Sequence, residues 1–225
     1  MSEPTIGILA LQGDYAEHRE VLDRLGVESR LVRHARELES LDGLILPGGE
    51  STTMLKLLIE ESLMDPVMAF HENGGALYGT CAGAILLAKK ATSPSQATLS
   101  LLDISIERNG YGRQAQSHIA REACPPLGAP PLEMVFIRAP IIRAVGKNVE
   151  VLASHRGDPV FVRQGRVMAT TFHPELCGDD RVHSFFANHV LESNAACKHL
   201  ISAAGSHPHP HPRRRPFAGK RLRDS

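Results

Sequence analysis

In the first half of the chain, short apolar runs rich in β-formers alternate with stretches whose apolar residues recur at helical spacing. TIGILAL (5–11) reads as a strand, Gln12-Gly13-Asp14 as a loop, and Val21, Leu22 and Leu25 as one face of a helix ending at Gly26. The alternation repeats through the strands ESRLV and GLILP, the helix STTMLKLLIEES opened by a capping residue, the strand ALYG, and the helix AGAILLAKK. Strands that each lead into a helix predict an α/β fold with a doubly wound, mostly parallel sheet and helices on both faces. After residue 98 the pattern becomes strand-like, in SLLDISIE, EMVFIRA, EVLAS, PVFVRQ and RVMATTF, which predicts an antiparallel extension of that sheet. A final helix is expected from Asp180 to about Ala196, with Val182, Phe185, Phe186, His189 and Val190 on one buried face.

The 225 residues suit one α/β core, expected over 1–204, with a tail over 205–225. Apolar residues make up 42% and charged residues 22%, the balance of a soluble protein, and no apolar run reaches the length of a membrane helix. The start, MSEPTIGILALQGD, lacks the basic n-region of a signal peptide, so a cytoplasmic protein is expected. The zero net charge hides an asymmetry: Gly205–Ser225 holds six of the 25 basic residues and one of the 25 acidic ones, so the body is acidic. The tail is rich in Pro, His and Arg and too poor in apolar residues to offset its ordering entropy; it reads as a disordered, solvated extension, ahead of a nucleic-acid or metal contact. The four cysteines, Cys81, Cys124, Cys177 and Cys197, are spaced for neither a disulfide framework nor a zinc motif.

Gly79-Thr80-Cys81-Ala82-Gly83, between a predicted strand and a predicted helix, has the form of a nucleophile elbow. A sharp strand-to-helix turn presents the central side chain, and flanking glycines let neighbouring backbone approach. The helix directs its free N–H groups and positive dipole end at the sulfur, whose thiolate is the attacking species. Cys124, Cys177 and Cys197 lack such a setting.

A cysteine nucleophile needs a base, and histidine suits neutral pH. Of twelve histidines, four lie in or beside the tail, while His18, His34 and His71 fall on helices or loops with no acidic partner at useful spacing. His173 differs: it follows the apolar strand ATTF and is joined through Pro174 to Glu175. Residues two apart in an extended segment project to one side, so Glu175 can orient His173 as the carboxylate of a triad does. Leu46-Pro47-Gly48-Gly49-Glu50-Ser51, at a strand-to-helix junction, reads either as a flexible turn or as an oxyanion hole in which a glycine N–H and that of Ala82 meet a developing negative charge. The P-loop pattern is absent.

The combination PGGES, GTCAG and HPE resembles the class I, or triad, glutamine amidotransferases. Within that family LALQGDYAEH, LPGGESTTM, GTCAGAILLAK, ERNGYGRQ, VFIRAP and FHPEL, spread from about Ile6 to about Val190, are similar to the glutaminase subunits of pyridoxal 5′-phosphate synthases. The resemblance implies a flavodoxin-like fold and hydrolysis of L-glutamine through a γ-glutamyl thioester, with Cys81 as nucleophile, His173 as base and Glu175 as its orienter. It places substrate contacts at Gly49, Glu50, Ser51, Arg108, Ile137 and Arg138, and the oxyanion hole at Gly48, Gly49 and Ala82. It calls for no cofactor, metal, nucleic acid or membrane. The implied partner is a (β/α)8-barrel synthase subunit in a hetero-oligomer, docking near Gln12 and using the ammonia in a lyase-class step. Gly110 and Tyr111 stand where serine and phenylalanine are expected, and Ala84 where leucine is. Two other readings are a γ-glutamyl hydrolase or related cysteine peptidase, and a non-catalytic binding module on the same fold.

Overall fold

The computed structural model describes residues 3–110 and 117–204, with side chains to residue 193. The 205–225 tail, the Cys197 side chain, and Tyr111 with the rest of ERNGYGRQ after Gly110 lie outside the described residues.

The elements in chain order are β1 (Ile6–Leu9), α1 (Tyr15–Arg24), β2 (Ser29–Val32), β3 (Gly43–Leu46), α2 (Ser51–Glu60), α3 (Met64–Glu72), β4 (Ala76–Thr80), α4 (Ala82–Leu87) and β5 (Ala88–Thr92). They continue with β6 (Leu102–Glu107), β7 (Ser117–Glu122), β8 (Leu132–Ile137), β9 (Ile141–Val145), β10 (Glu150–His155), β11 (Asp158–Gln164), β12 (Val167–Thr170) and α5 (Arg181–Ala204). A seven-stranded sheet runs β10-β11-β12-β4-β3-β1-β2. Its strands from β12 to β2 are mutually parallel, and β10 and β11 add an antiparallel edge.

Alternation along each central strand sends successive side chains to opposite faces. Leu44, Leu46 and Leu77 pack with Met54, Leu58, Val67 and Ile85 of α2, α3 and α4. Ile6, Ile8, Ile45 and Tyr78 pack on the other face with Leu22 of α1 and Val182, Phe186 and Val190 of α5. The expected doubly wound α/β architecture is therefore present, with helices on both faces.

Three expectations are corrected. SLLDISIE and EMVFIRA leave the main sheet: β6 joins β5 and β9 in a three-stranded sheet, and β8 pairs with β7. AGAILLAKK is not one helix, because α4 ends at Leu87 and AKKAT runs on as β5. Alanine and lysine favour helix, but Ala88 and Ala91 are buried on the sheet's inner side while Lys89 and Lys90 face solvent, and that tertiary burial outweighs a weak local preference. The last helix extends to Ala204, beyond the expected end. The cap of α2 is Glu50, whose carboxylate accepts from the Thr52 and Thr53 amides.

Candidate active site

Strands β12, β4, β3 and β1 are parallel neighbours, so their carboxyl ends share one edge of the sheet, where α/β proteins place their sites. Thr170 of β12 lies opposite Thr80 of β4, which puts Cys81 and the 171–175 segment side by side. Leu46 of β3 lies opposite Gly79, so the Pro47–Glu50 loop borders Cys81 from the other side.

Cys81 adopts φ 45° and ψ −98°, the strained backbone of an elbow, with its amide donating to the Thr170 carbonyl at 2.8 Å. The elbow requires its glycines. A Cβ on Gly83 would collide with the Leu46 carbonyl, and one on Gly79 would lie 2.5 Å from the Gly83 carbonyl carbon. Ala82, 1% exposed, opens α4 with an N–H that has no intrahelical acceptor. At six residues α4 is shorter than the sequence pattern implies.

His173 Nδ1 lies 2.8 Å from Glu175 Oε1, and the His173 amide donates to Val135 of β8 at 2.8 Å. The pairing is the expected one, but its geometry is not: Pro174–Leu176 forms a 3-10 turn, and Glu175 reaches back around it. Proline at the first turn position sets the φ that starts this turn. Asp14 Oδ2, from the loop after β1, also reaches Nδ1, at 3.3 Å. Burial opposes a charge on His173, yet hydrogen bonds with Asp14, Cys81 and Glu175 outweigh it and push the imidazole up to about 12. Burial also raises Glu175, with the His173 contact acting against it. The ionised form of His173 is thus favoured beside the Cys81 sulfur.

A cleft of about 340 Å³ opens over this set, lined by Cys81, His173, Gly49, Glu50, Ser51, Arg108, Ile137 and Arg138, all expected at the site. Arg108, 8% exposed, donates to Thr52 Oγ1 at 2.7 Å and lies 3.5 Å from Glu50. The Ser51 hydroxyl donates to Gln96 at 3.1 Å. Gly48 sits under His173, where a Cβ would lie 2.7 Å from Nδ1. Gly110, unexpected in the sequence, is explained by Ile141, whose Cγ1 a Cβ would meet at 2.5 Å. Arg138 has φ 45°, so its cleft position rests on a left-handed backbone.

The cleft also takes in Gln12, Asp14, Asn109 and Leu176, for which sequence reasoning assigned no chemical role. Gln12 and Asp14 fall within a quoted motif. Their side-chain roles appear only once β1 is placed beside β3. His18 is a correction: read as lacking an acidic partner, it is fully buried with Nε2 3.6 Å from Glu175 Oε2. Exposed His34 likewise meets Glu61 at 3.4 Å. Asp14, His173 and Glu175 bring ligand atoms within 4.8 Å of one another, but Nδ1 is committed to the two carboxylates, which suits an imidazolium better than a metal.

The profile of the SNO glutamine amidotransferase family matches residues 8–192. A pyridoxal 5′-phosphate synthase subunit PdxT of Solibacter usitatus is 53% identical over 80% of this chain and 96% of its own length. The protein of that name from Koribacter versatilis is 49% identical over 86% and 99%. A solved structure described as a glutamine amidotransferase superposes with a TM-score of 0.78 at 49% identity, covering 82% of this chain and 98% of its own. A GMP synthase subunit from Thermoplasma acidophilum, 18% identical with a TM-score of 0.64, shares the fold. These likenesses favour neither a γ-glutamyl hydrolase nor a binding module, and the lyase class does not apply to this subunit. The chain belongs to the SNO glutamine amidotransferase family and is a glutaminase.

Proposed function

We propose that Cys81, His173 and Glu175 hydrolyse L-glutamine and that the ammonia passes to a separate synthase subunit that builds pyridoxal 5′-phosphate from a pentose phosphate and a triose phosphate. The observation that carries the reading is the strained Cys81 elbow facing the His173–Glu175 pair within a cleft that holds buried Arg108. The sulfur attacks the glutamine side-chain carbonyl, and the oxygen that becomes negative is met by the Ala82 N–H and one from the Gly48–Gly49 peptide. His173 gives its proton to the departing ammonia, leaving a γ-glutamyl thioester. Water then attacks the thioester, with His173 taking the proton, and glutamate leaves. Arg108 and Arg138 are suited to the substrate's α-carboxylate, which a guanidinium fork can grip through both oxygens. Gly49, Glu50, Ser51 and Ile137 complete the pocket.

The partner is a (β/α)8-barrel subunit that docks on the Leu9–Asp14 region, and the pair works in the cytoplasm. Support for coupling comes from hydrogen bonds between the loops after β1 and β3: the Glu50 amide donates to Gln12 Oε1 at 2.9 Å, and the Asp14 amide to the Gly48 carbonyl at 3.1 Å. Because a trans peptide sets C=O and N–H in opposite directions, holding the Gly48 carbonyl also sets where the Gly49 N–H points. Docking at Gln12 can therefore turn the oxyanion donor, at low cost for two glycines. Residues 1–204 are the glutaminase domain, and 205–225 a tail without a catalytic part. Glutamate production across a titration with the synthase subunit tests the reading. Activity that rises from near zero and saturates is expected; high activity indifferent to the partner would overturn the coupling.

A further inference from the structure

Behind the site, α1 and α5 bring together two histidines 165 positions apart, both fully buried: His18 Nδ1 lies 2.8 Å from His183 Nε2. On its other side His18 Nε2 lies 3.2 Å from Thr80 Oγ1 and 3.6 Å from Glu175 Oε2. Among the described residues, two buried atoms here accept or donate no hydrogen bond: Glu175 Oε2 and His183 Nδ1. We propose that His18 is a positioning residue for glutamine hydrolysis, holding its Nε2–H against the rear oxygen of Glu175, with His183 setting that tautomer. The inference rests on the glutaminase reading above.

The tautomer follows from proton accounting. One histidine must donate across the 2.8 Å contact and the other accept. If His18 donated from Nδ1, its Nε2 lone pair would face the Glu175 carboxylate, and the Nδ1–H of His183 would be a buried donor with no acceptor. If His183 donates from Nε2 instead, only a lone pair on its Nδ1 goes unused, and His18 turns an N–H toward both Thr80 and Glu175. An orphaned buried N–H is the rarer and costlier defect, so the second arrangement stands. Neither ring is charged. Burial, joined by the neighbouring rings His183 and His173, lowers His18, and burial lowers His183 to about 4. The other groups facing the pair are Tyr78, whose ring sits edge-on to His183 and whose hydroxyl bonds Thr170, and the Arg24–Asp180 ion pair at the outer end.

The role is electrostatic. Glu175 has to stay ionised while His173 cycles through the imidazolium, yet burial favours its neutral form and its Oε1 is taken by His173. The His18 N–H offers Oε2 a fixed positive dipole end without a second charge. Removing it lets Glu175 take up a proton at a higher pH and frees the carboxylate to turn away from Nδ1.

The test uses the full chain with saturating synthase subunit. His18→Gln places an amide near the former Nε2 position, whereas His18→Asn places one near Nδ1 and leaves Oε2 bare. We expect Gln to stay within about threefold of wild-type kcat and Asn to fall on the order of tenfold to a hundredfold with KM for glutamine nearly unchanged, the range known for loss of an outer hydrogen-bond partner behind a metal-bound histidine. The acid limb of kcat/KM should move to higher pH in the Asn variant. Long-range proton–nitrogen NMR of the wild type should find His18 protonated at Nε2. Equal activity of Gln and Asn, an unmoved acid limb, or a proton on Nδ1 would each overturn the proposal. The wild type separates the two levels: if it releases no glutamate with saturating synthase subunit the glutaminase reading falls, and if it is active while Gln and Asn behave alike only the role of His18 falls.

Discussion

Replacing Gly48 by alanine should leave the protein folded and cripple the reaction. The added Cβ would stand 2.7 Å from His173 Nδ1, closer still to Cε1, and 2.9 Å from Asp14 Oδ2. Ordinary contact begins at 3.4 Å, so ring and loop must separate by about 0.7 Å or more, close to the ångström-scale misplacement that costs about a hundredfold in rate. The ring cannot yield freely, because it is 3% exposed and its Nδ1 is 2.8 Å from Glu175. If the loop yields instead, the Gly48 carbonyl leaves the Asp14 amide and the Gly49 N–H turns with it. Either way kcat should drop on the order of tenfold to a hundredfold, about 1.4 to 2.7 kcal/mol of barrier. The assay is glutamate release with saturating synthase subunit, alongside a thermal melt. Gly165→Ala is the control: its φ of 54° adds a backbone strain that Gly48→Ala does not carry, but a Cβ there meets nothing within 4 Å, and activity should be unaffected. Wild-type turnover by a folded Gly48→Ala variant would refute the reasoning.

Cys81→Ala should fold and release no ammonia from glutamine, and measurable turnover would remove it as nucleophile. His173→Asn should be as inactive, while Glu175→Gln keeps a fraction of the rate because the orienter does not exchange the proton; equal rates in all three variants would contradict the triad. Arg108→Lys should raise KM for glutamine by about tenfold or more with a smaller change in kcat, since one ammonium cannot replace a fork against a carboxylate. Acid should destabilise the fold through His183: it titrates near 6.5 when unfolded and about 4 when folded, so between those values the unfolded chain binds more protons and stability falls as pH drops, by about 3 kcal/mol for this group. Urea melts from pH 7 to 4 on the wild type and on His183→Leu should show the variant with the shallower pH dependence.

The grouping of Cys81, His173 and Glu175, the proposed catalytic trio, was legible in the sequence because each signal is local. Cys81 is flagged by the glycines its own turn needs, and His173 by an acid two residues on. The parallel βα half was legible because β1, β3 and β4 are buried on both faces and each is followed by its own helix. What stayed hidden depends on distant packing. β7 exposes or half-exposes every residue, so no apolar alternation marks it, and β5 is written in helix-favouring residues. Asp14 reaches His173 only because β1 and β3 are neighbours, and His18 meets His183 only because α1 and α5 cover the same face of the sheet. Spacing along the chain contains neither fact.

The division of labour at this sheet edge follows from which strands end there. Cys81 and His173 hang from β4 and β12, central strands paired residue for residue up to Thr80 and Thr170, so the proposed nucleophile and base are placed by backbone ladders that little can shift. Behind them Tyr78 and Thr170 share a hydrogen bond at 3.0 Å inside the core, and α5 packs over that layer. Ala82, Ser51 and Ile137 sit at the ends of α4, α2 and β8, but the proposed glycine oxyanion donor and both arginines sit on loops: Gly48 and Gly49 after β3, Arg108 after β6, Arg138 after β8. In the proposed docking, a partner pressing on Gln12 and Asp14 would act through two side-by-side loops and could turn the Gly48–Gly49 peptide without moving either strand that carries Cys81 and His173. With that docking, control of the reaction would lie on the soft half of the site and the chemistry on the rigid half, so that activation by the partner need not trade against the alignment of Cys81 with His173.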